Sequence, residues 1–194
     1  MGMSVYIEAA HFPKDTEAIR SLFSGYAESL GIDLAFQEFD KELDSLPGKY
    51  AESQGGALLI ARVRKPNEDS DRTAFAPLST SHSTKLAPPF PAVGCVALRS
   101  NSDNWCEMKR LYVVPEARGL RLGDQLVAAI IEKAKLLGYR GIRLDTLPTM
   151  TAAQKLYRRY GLVKIESYYD TPIENTVFMG CDFNSVLPEP QARA

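Results

Sequence analysis

The segment between Val113 and Asp124 has a composition that could bind phosphate. Gly119 and Gly123 allow the backbone to approach a ligand closely, because neither carries a Cβ atom. Hydrophobic patterning predicts that this segment leaves a strand and enters a helix. The first turn of a helix offers N–H groups without intrahelical acceptors, together with the positive end of the helix dipole. The segment is either a phosphate-binding loop or a plain strand-to-helix connection.

Other common chemical motifs are missing from the chain. The sequence has neither the GxxxxGK[ST] pattern of a P-loop nor the GxGxxG pattern of a dinucleotide fold. Cys95, Cys106 and Cys181 are far apart, and His11 and His82 form no HExxH pattern. We therefore expect no metal site and no disulfide framework, but thiols buried in a reducing compartment.

Hydrophobic periodicity predicts which elements position the glycine segment. The length of 194 residues fits one domain. We predict an α/β domain over residues 1–186 with a mixed sheet, a long exposed loop at 64–91 and a flexible tail at 187–194. The predicted strands cover about 5–8, 57–63, 92–99, 106–114, 142–146, 162–167 and 176–183, and the predicted helices about 19–30, 36–43, 126–137 and 151–160.

Local signals predict where several helices begin and end. Gly31, Gly138 and Gly161 each follow a helical stripe and are predicted to stop it. Thr151 and Gln154 have the spacing of a capping box, which predicts that Thr151 caps the last helix.

Composition excludes several classes of function. The formal net charge is -1, which argues against a broad nucleic-acid footprint. The chain has no cationic segment followed by an apolar run, and no apolar stretch of the ~20 residues that cross a bilayer. We expect a cytoplasmic protein with no membrane partner. A homodimer is a modest expectation, because symmetric pairs are common among soluble proteins.

Two segments together resemble the GNAT superfamily of N-acetyltransferases. The stretch Leu111-x-Val113-x-Pro115 followed by Arg118 through Gly123 is similar to the family's Q/R-x-x-G-x-G/A signature and the strand before it. The stretch Ala153 through Leu162 is similar to its A-x-x-L-Y-x-x-x-G-F segment. The segments stand in the family's order, with a predicted helix and strand between them. The resemblance covers about 92–183, and it is specific because both motifs occur in the right context.

The resemblance implies a fold, a co-substrate and a set of contacts. The fold would be a mixed, mostly antiparallel sheet flanked by helices, with a splayed central strand pair. The co-substrate would be acetyl-CoA, whose pantetheine arm would pair with free backbone groups in the splay, as an added strand does. A backbone amide near Leu111 would face the thioester carbonyl. The implied cofactor-binding residues are Leu111, Tyr112, Val113, Arg118, Gly119, Leu120, Arg121, Leu122, Gly123, Asp124, Ala153 and Tyr157.

The sequence departs from the family pattern at two positions. Arg121 stands where the signature has glycine. Because its Cβ disfavours a positive φ, we expect it to present its amide from an ordinary helical conformation. Its guanidinium is also a candidate to reach a phosphate. Met150 stands where many members have asparagine, so a hydrogen bond to the pantetheine arm is expected to be missing or replaced.

The resemblance also implies two catalytic residues. Tyr157 matches the tyrosine that gives a proton to the coenzyme A thiolate, although helical aromatic stripes are more often core. Glu107 has the spacing of a catalytic glutamate in the histone-acetylating branch, and could take the amine's proton. The alternative for Glu107 is an ion pair with Lys109 or Arg110, or a solvated position.

Cys106 has no neighbour in sequence to activate it, so we expect direct transfer without an acyl-enzyme.

The acceptor is the least constrained part of the prediction. A small amine such as an amino acid is the first choice, and a peptide or protein amine is the alternative. A non-catalytic acyl-CoA-binding module is a second alternative. The segment 168–172 is a candidate lid or rim. Aromatic residues that could line the acceptor site, or simply pack, are Tyr26, Phe36, Phe39, Tyr50, Tyr168 and Tyr169.

Overall fold

The computed structural model describes residues 4–32, 38–64 and 91–185, and the fold is built from these. The strands are β1 (Ser4–Ala9), β2 (Ala57–Arg64), β3 (Ala92–Ser100), β4 (Trp105–Val113), β5 (Gly141–Thr146), β6 (Val163–Lys164) and β7 (Val177–Asp182). The α-helices are α1 (Thr16–Leu30), α2 (Phe39–Asp44), α3 (Leu122–Leu136) and α4 (Thr151–Arg159). Short 3₁₀ turns lie between several of them.

All seven strands belong to one sheet, in the spatial order β1-β2-β3-β4-β5-β7-β6. β4 and β5 run parallel, and the other described neighbours run antiparallel. α3 follows β4 and leads back to β5, as a parallel pair requires. The predicted α/β class with a mixed, mostly antiparallel sheet and flanking helices is confirmed.

The sheet buries a separate apolar cluster on each face. On one face Leu126, Val127 and Ile130 of α3 pack against Leu98 and Met108, and all five are at most 3% exposed. On the other face the cluster contains residues of α1, β2 and β3 and Tyr50. Burying each large aliphatic side chain contributes about 1.5–3 kcal/mol, so both faces anchor helices firmly to the sheet.

The glycine stops predicted from sequence are confirmed. Gly31 (φ 64°), Gly138 (φ 80°) and Gly161 (φ 79°) take left-handed conformations just beyond α1, α3 and α4. This conformation closes a helix end at little steric cost when the residue has no Cβ atom.

Two local predictions are wrong. Thr151 is the first helical residue of α4, Met150 takes the N-cap position, and no side chain caps this end. The Gln154 amide instead donates to the Leu147 carbonyl at 3.1 Å and the Pro148 carbonyl at 3.3 Å, so it secures the preceding turn. The strand predicted at 162–167 is reduced to the two exposed residues of the edge strand β6.

Several predictions fall outside the described residues. Phe36, most of the predicted loop at 64–91 and the predicted tail at 187–194 belong to this group.

Candidate active site

The centre of the sheet opens between β4 and β5. These strands pair only where Trp105, Cys106 and Glu107 face Gly141, Ile142 and Arg143. Beyond these pairs β4 continues along β3, while β5 pairs along its whole length with β7. The resulting gap is lined by Tyr26, Met108, Lys109, Arg110, Leu111, Leu144, Asp145, Thr146, Met150 and Tyr157.

A bulge interrupts β4 at the rim of this gap. The β3–β4 register shifts between Cys95 and Ala97, and Arg110 has a φ of 57°. A left-handed conformation costs an L-residue about 1–2 kcal/mol, so other contacts must hold it. The extra residue lets Lys109 and Arg110, which are neighbours in sequence, both project toward the face that α1 and α2 cover.

The bulge determines which backbone groups face the gap. The Cys95 thiol donates to the Arg110 carbonyl at 3.3 Å, so this carbonyl points toward β3. In a trans peptide the next N–H points the opposite way, which turns the Leu111 N–H toward the gap. The Val114 N–H donates to the Val93 carbonyl at 3.0 Å. Alternation along the strand therefore turns the Val113 groups toward the gap as well.

Tyr112 differs from its two neighbours. Alternation directs its backbone groups toward β3, and its ring packs against α1. A Cβ atom at Gly25 of α1 would lie only 3.0 Å from the Tyr112 hydroxyl oxygen. Of the three β4 residues expected at the cofactor, Leu111 lines the gap, Val113 lies outside its lining with its backbone turned to the same side, and Tyr112 is turned away.

The loop after β4 takes two left-handed residues before α3 begins. Gly119 has a φ of 88° and Arg121, at the N-cap of α3, has a φ of 57°. The expectation that Arg121 presents its amide from a helical conformation is wrong. The chain turns sharply at this point, and the turn keeps the conformation a glycine would take although arginine pays the steric strain.

We call the loop Arg118–Asp124 the amide cradle. The Arg118 N–H donates to the Pro115 carbonyl at 3.2 Å, and the loop then leads into α3. The first helical hydrogen bond of α3 runs from the Gln125 N–H to the Arg121 carbonyl at 3.2 Å. The N–H groups that come earlier in the first turn of α3 have no intrahelical acceptor. No side chain caps this end of the helix. Leu120 is half-buried, and Leu122 is buried with 1% of its surface exposed. The cradle can bind an anion through its backbone.

The cradle is connected to α4. The Asp124 carboxylate pairs with the Arg159 guanidinium at 2.5 Å, and its carbonyl accepts the Tyr160 hydroxyl at 2.9 Å. A Cβ atom at Gly123 would meet Leu156 at 3.5 Å, an ordinary contact, so this position has room for alanine. The cradle therefore needs glycine at Gly119 and tolerates a small side chain at Gly123.

Tyr157 lies on α4 and reaches the gap. Burial raises the pKa of its hydroxyl well above the usual range, and the nearby Tyr26 and Asp145 raise it further. Among the described residues, no hydrogen-bond partner is seen for this hydroxyl. Tyr157 therefore keeps its proton at neutral pH and can donate it to a group in the gap. Ala153, one turn earlier on α4, packs at the edge of the apolar cluster under α3.

Thr146 and Met150 line the same gap. The Thr146 hydroxyl is buried, and within the described ranges it has no hydrogen-bond partner. Leaving a buried hydroxyl unpaired costs about 1–3 kcal/mol. Met150 offers only a thioether, which is a weak hydrogen-bond acceptor. In this part of the lining, Thr146 is the residue that carries a hydroxyl.

Glu107 lies in the paired part of β4, just before the splay. Its carboxylate is fully buried and pairs with Arg99 at 2.6 Å and with Lys109 at 3.5 Å. The Tyr168 hydroxyl donates to it at 3.0 Å and the Asn101 amide at 3.4 Å. These contacts correspond to the ion-pair alternative with Lys109, and the structure does not bring Glu107 into the lining of the gap.

Asp145 does reach the gap. Burial alone would raise the pKa of its carboxyl, but Lys109, whose Nζ lies 2.8 Å away, and hydrogen bonding from Tyr169 bring it below the usual range. Asp145 is therefore ionised at neutral pH. Arg99, Glu107, Lys109 and Asp145 form a charged network that crosses β3, β4 and β5.

An aromatic cluster packs beside the charged network. The ring centroids of Tyr168 and Tyr169 lie 5.1 and 5.3 Å from that of Phe178, in edge-on geometry. The Arg143 guanidinium lies 4.2 Å from the Tyr168 centroid. These contacts anchor the segment between β6 and β7 over the network, where aromatic pairs and cation–π contacts each add a modest stabilisation.

Cys106 is unsuited to carry an acyl group. Burial raises the pKa of its thiol to about 12, and the residue is fully buried. The thiol donates to the Gly141 carbonyl at 3.4 Å. A protonated, enclosed thiol is inert, because the thiolate is the nucleophile.

Comparison with known proteins assigns the family. The model of the Acetyltransferase (GNAT) family matches residues 92–162, from β3 to just beyond α4. An uncharacterized N-acetyltransferase of Schizosaccharomyces pombe is 38% identical over 176 residues, covering 91% of this chain and 93% of the relative. The chain belongs to the GNAT acetyltransferase family.

Further similarities agree with this assignment. An uncharacterized N-acetyltransferase of Dictyostelium discoideum is 31% identical, covering 83% of this chain and 91% of the relative. A GNAT-family acetyltransferase of Staphylococcus aureus has a similar fold, with a TM-score of 0.66 at 18% identity, over 92% of this chain and 99% of its own. The yncA protein of Salmonella typhimurium, solved with its cofactor acetyl-CoA, has a TM-score of 0.62 at 15% identity, over 97% and 99%.

Neither a membrane-spanning helix nor a metal-binding cluster is seen in the described part of this acetyltransferase. No described helix is long and apolar enough to cross a membrane. Within residues 4–32, 38–64 and 91–185, no three His, Cys, Asp or Glu side chains are grouped so that they could hold a metal ion.

Sequence reasoning about this acetyltransferase missed Asp145, Thr146 and the partners of Arg110. Asp145 and Thr146 carry no motif, and they reach the gap because β5 bends away from β4. One signal for the bulge was present. Lys109 and Arg110 are adjacent charged residues in a strand, and in a regular strand one of them would face the apolar core under α3.

Proposed function

We propose that this acetyltransferase moves an acetyl group from acetyl-CoA directly to the primary amine of a small molecule. One observation carries the proposal. Leu111 and Tyr157 both line the gap, and β4 continues past Leu111 through Val113 to the loop that contains the amide cradle. A phosphate site, a strand-like edge and a proton donor thus follow one another along a single path.

The residues present fit acetyl-CoA. The cradle would hold the pyrophosphate through its backbone N–H groups, and Arg118 and Arg121, which are exposed there, would add charge. Leu111 and Val113 would pair with the amides of the pantetheine arm. The unpaired Thr146 hydroxyl would find a partner on the same arm, in place of the asparagine that Met150 replaces.

Each residue then has a defined part in the reaction. The bound co-substrate supplies an activated acyl group. The Leu111 N–H donates to the thioester oxygen and stabilises the negative charge that develops there. As the amine nitrogen bonds to the acyl carbon and the carbon–sulfur bond breaks, Tyr157 gives its proton to the sulfur. The proton that the nitrogen loses in becoming an amide then restores the Tyr157 hydroxyl. The inert state of Cys106 supports direct transfer without an acyl-enzyme.

The amine must lose a proton before it can attack. Asp145 is a poor acceptor of that proton because its pKa is lowered, but its negative charge attracts the ammonium group into the gap. Glu107 as the base stays a prediction, and its three hydrogen-bonding neighbours and its ion pair with Lys109 favour a supporting part instead. We propose that water carries the proton away from the gap.

The aromatic cluster supports a small acceptor. Tyr168 and Tyr169 are tied to Glu107 and Asp145, and both pack on Phe178. A segment anchored in this way narrows the approach to Asp145, which suits a compact amine better than an extended peptide.

An acceptor screen tests the proposal. The purified chain is incubated with acetyl-CoA and with separate panels of small amines and of peptides, and free thiol is measured. We expect thiol release with at least one small amine and none with peptides of comparable amine pKa. Turnover confined to peptides would contradict the small-amine proposal, and coenzyme A binding without turnover on either panel would favour a binding module.

A further inference from the structure

We infer that Glu42 and Arg110 are positioning residues, which hold the β4 bulge so that the Leu111 N–H points at the reacting carbonyl. The inference rests on the proposed acetyl transfer and adds to it a device on the face of the sheet that α1 and α2 cover.

The pair is buried and geometrically fixed. The Arg110 side chain is 1% exposed and that of Glu42 is 2% exposed. Arg110 Nε lies 2.7 Å from Glu42 Oε1, and its Nη2 lies 3.2 Å from Oε2, so the two groups meet in a two-pronged arrangement. The guanidinium also lies 5.5 Å from the ring centroid of Tyr26 on α1 and 5.3 Å from that of Phe39 on α2. It is therefore held from two helices at once.

This grip bears directly on the next amide. The Leu111 N–H belongs to the peptide unit that starts at the Arg110 carbonyl, so the backbone torsions of Arg110 set its direction. Arg110 has the strained φ of 57°, and its carbonyl is fixed by the Cys95 thiol. Glu42 holds the Arg110 side chain, and the Cys95 thiol donates to the Arg110 carbonyl. The peptide unit between Arg110 and Leu111 therefore has little freedom to rotate.

Stability alone is a poor reason for such a pair. A buried ion pair is often no more stabilising than apolar side chains of the same volume, because both charges lose their water. What charges and fork geometry add is direction. A donor aimed at a developing charge is sensitive to displacements of about 1 Å, which can lower a rate about 10²-fold. The pair therefore matches an orienting role beside the reacting atoms.

A matched pair of variants on one helix tests the inference. Glu42→Gln removes the charge that holds Arg110. Asp44→Asn makes the same change in α2 at an exposed carboxylate, which pairs with Arg20 at 2.9 Å. We expect Glu42→Gln to lower kcat about 10-fold or more while the Kd for coenzyme A stays within about twofold. Asp44→Asn should change neither quantity.

A spectroscopic readout separates orientation from loss of fold. The carbonyl stretch of ¹³C-labelled acetyl-CoA should shift to lower frequency on binding to the parent protein, and this shift should shrink in Glu42→Gln. Glu42 also pairs with Lys49 at 2.5 Å, so the triple variant E42L/K49M/R110M replaces all three charges with apolar side chains. It should preserve the melting temperature yet lower kcat as Glu42→Gln does.

The outcomes are distinguishable. Unchanged kcat and carbonyl shift in both variants would overturn the inference, as would a raised Kd with kcat intact. Loss of the folded state in both variants would make the pair a stability element and would also overturn it. Failure of the parent protein to bind coenzyme A or release thiol would instead overturn the proposed function.

Discussion

The amide cradle and the charged network are built in opposite ways. The cradle uses the backbone of a single continuous segment, so its chemistry is local and needs only the right turn. The network uses side chains from three strands, and its Lys109–Asp145 pair joins residues 36 positions apart in sequence. The comparison teaches that a backbone loop can be encoded by one local segment, whereas a network of side chains depends on the whole fold.

The largest effect is expected at Tyr157, which lines the gap together with Lys109 and Asp145 of the network. Tyr157→Phe keeps the ring and removes the proton donor. We expect kcat to fall about 10²-fold with the Kd for coenzyme A unchanged, measured by thiol release and calorimetry. Tyr139→Phe, which removes a hydroxyl that donates to the Gly55 carbonyl at 2.6 Å outside the gap, is the control and should retain most turnover. Equal losses in both variants would make Tyr157 a core aromatic.

The local character of the cradle is tested at its two glycines. Gly119 has a φ of 88°, which a β-branched side chain rarely adopts, whereas a Cβ at Gly123 meets only an ordinary contact at 3.5 Å. We expect Gly119→Val to weaken coenzyme A binding by roughly 10-fold, because the strained loop loses its converging donors. Gly123→Ala should bind within about twofold of the parent. A reversed order in a calorimetric titration would contradict this account of the cradle.

The pH dependence tests whether the network contains the base. The pKa of Asp145 is lowered, so its carboxyl is already ionised at acidic pH. Asp145 therefore contributes no transition between pH 6 and 9. We expect kcat/KM to rise about tenfold per pH unit below the amine's own pKa, because only the neutral amine attacks. Two acceptors of different amine pKa should give rate profiles displaced by that difference. A transition at the same pH for both acceptors, lost in Glu107→Gln, would restore Glu107 as the base.

The smallest expected effect concerns Thr146. Thr146→Val removes a buried hydroxyl that has no partner among the described residues, so we expect the free protein to melt a few degrees higher. The same change should weaken coenzyme A binding about threefold to tenfold, because one hydrogen bond is lost. Thr176→Val removes a hydroxyl that donates to the Ile173 carbonyl at 2.7 Å, and should lower the melting temperature without affecting binding. Destabilisation by Thr146→Val would show that the hydroxyl is already satisfied.

Much of the fold could be predicted because its signals are periodic or local. The stripe Leu126, Val127 and Ile130 predicted α3, and the glycines beyond α1, α3 and α4 predicted where these helices stop. The capping signal at Thr151 misled, because Gln154 found better acceptors in the preceding turn. β6 was predicted too long, because an edge strand needs few pairs and its alternating residues resemble a longer strand.

The candidate site divides in the same way. The cradle stays a prediction from the spacing of its residues. The conformation of Arg121 was predicted wrongly, because the turn before α3 requires a left-handed residue at this position. The bulge, the Glu42–Arg110 pair and the unpaired Thr146 hydroxyl could not be predicted. Glu42 and Arg110 are 68 positions apart, and only the assembled fold brings them together.

The most direct test of the central claim is a calorimetric titration of coenzyme A and acetyl-CoA into the parent protein, with Gly119→Val beside it. We expect both ligands to bind the parent with one site per chain, and Gly119→Val to lose affinity for both by the same factor, because the cradle contacts the pyrophosphate they share. Failure of both ligands to bind the folded parent protein would contradict the account.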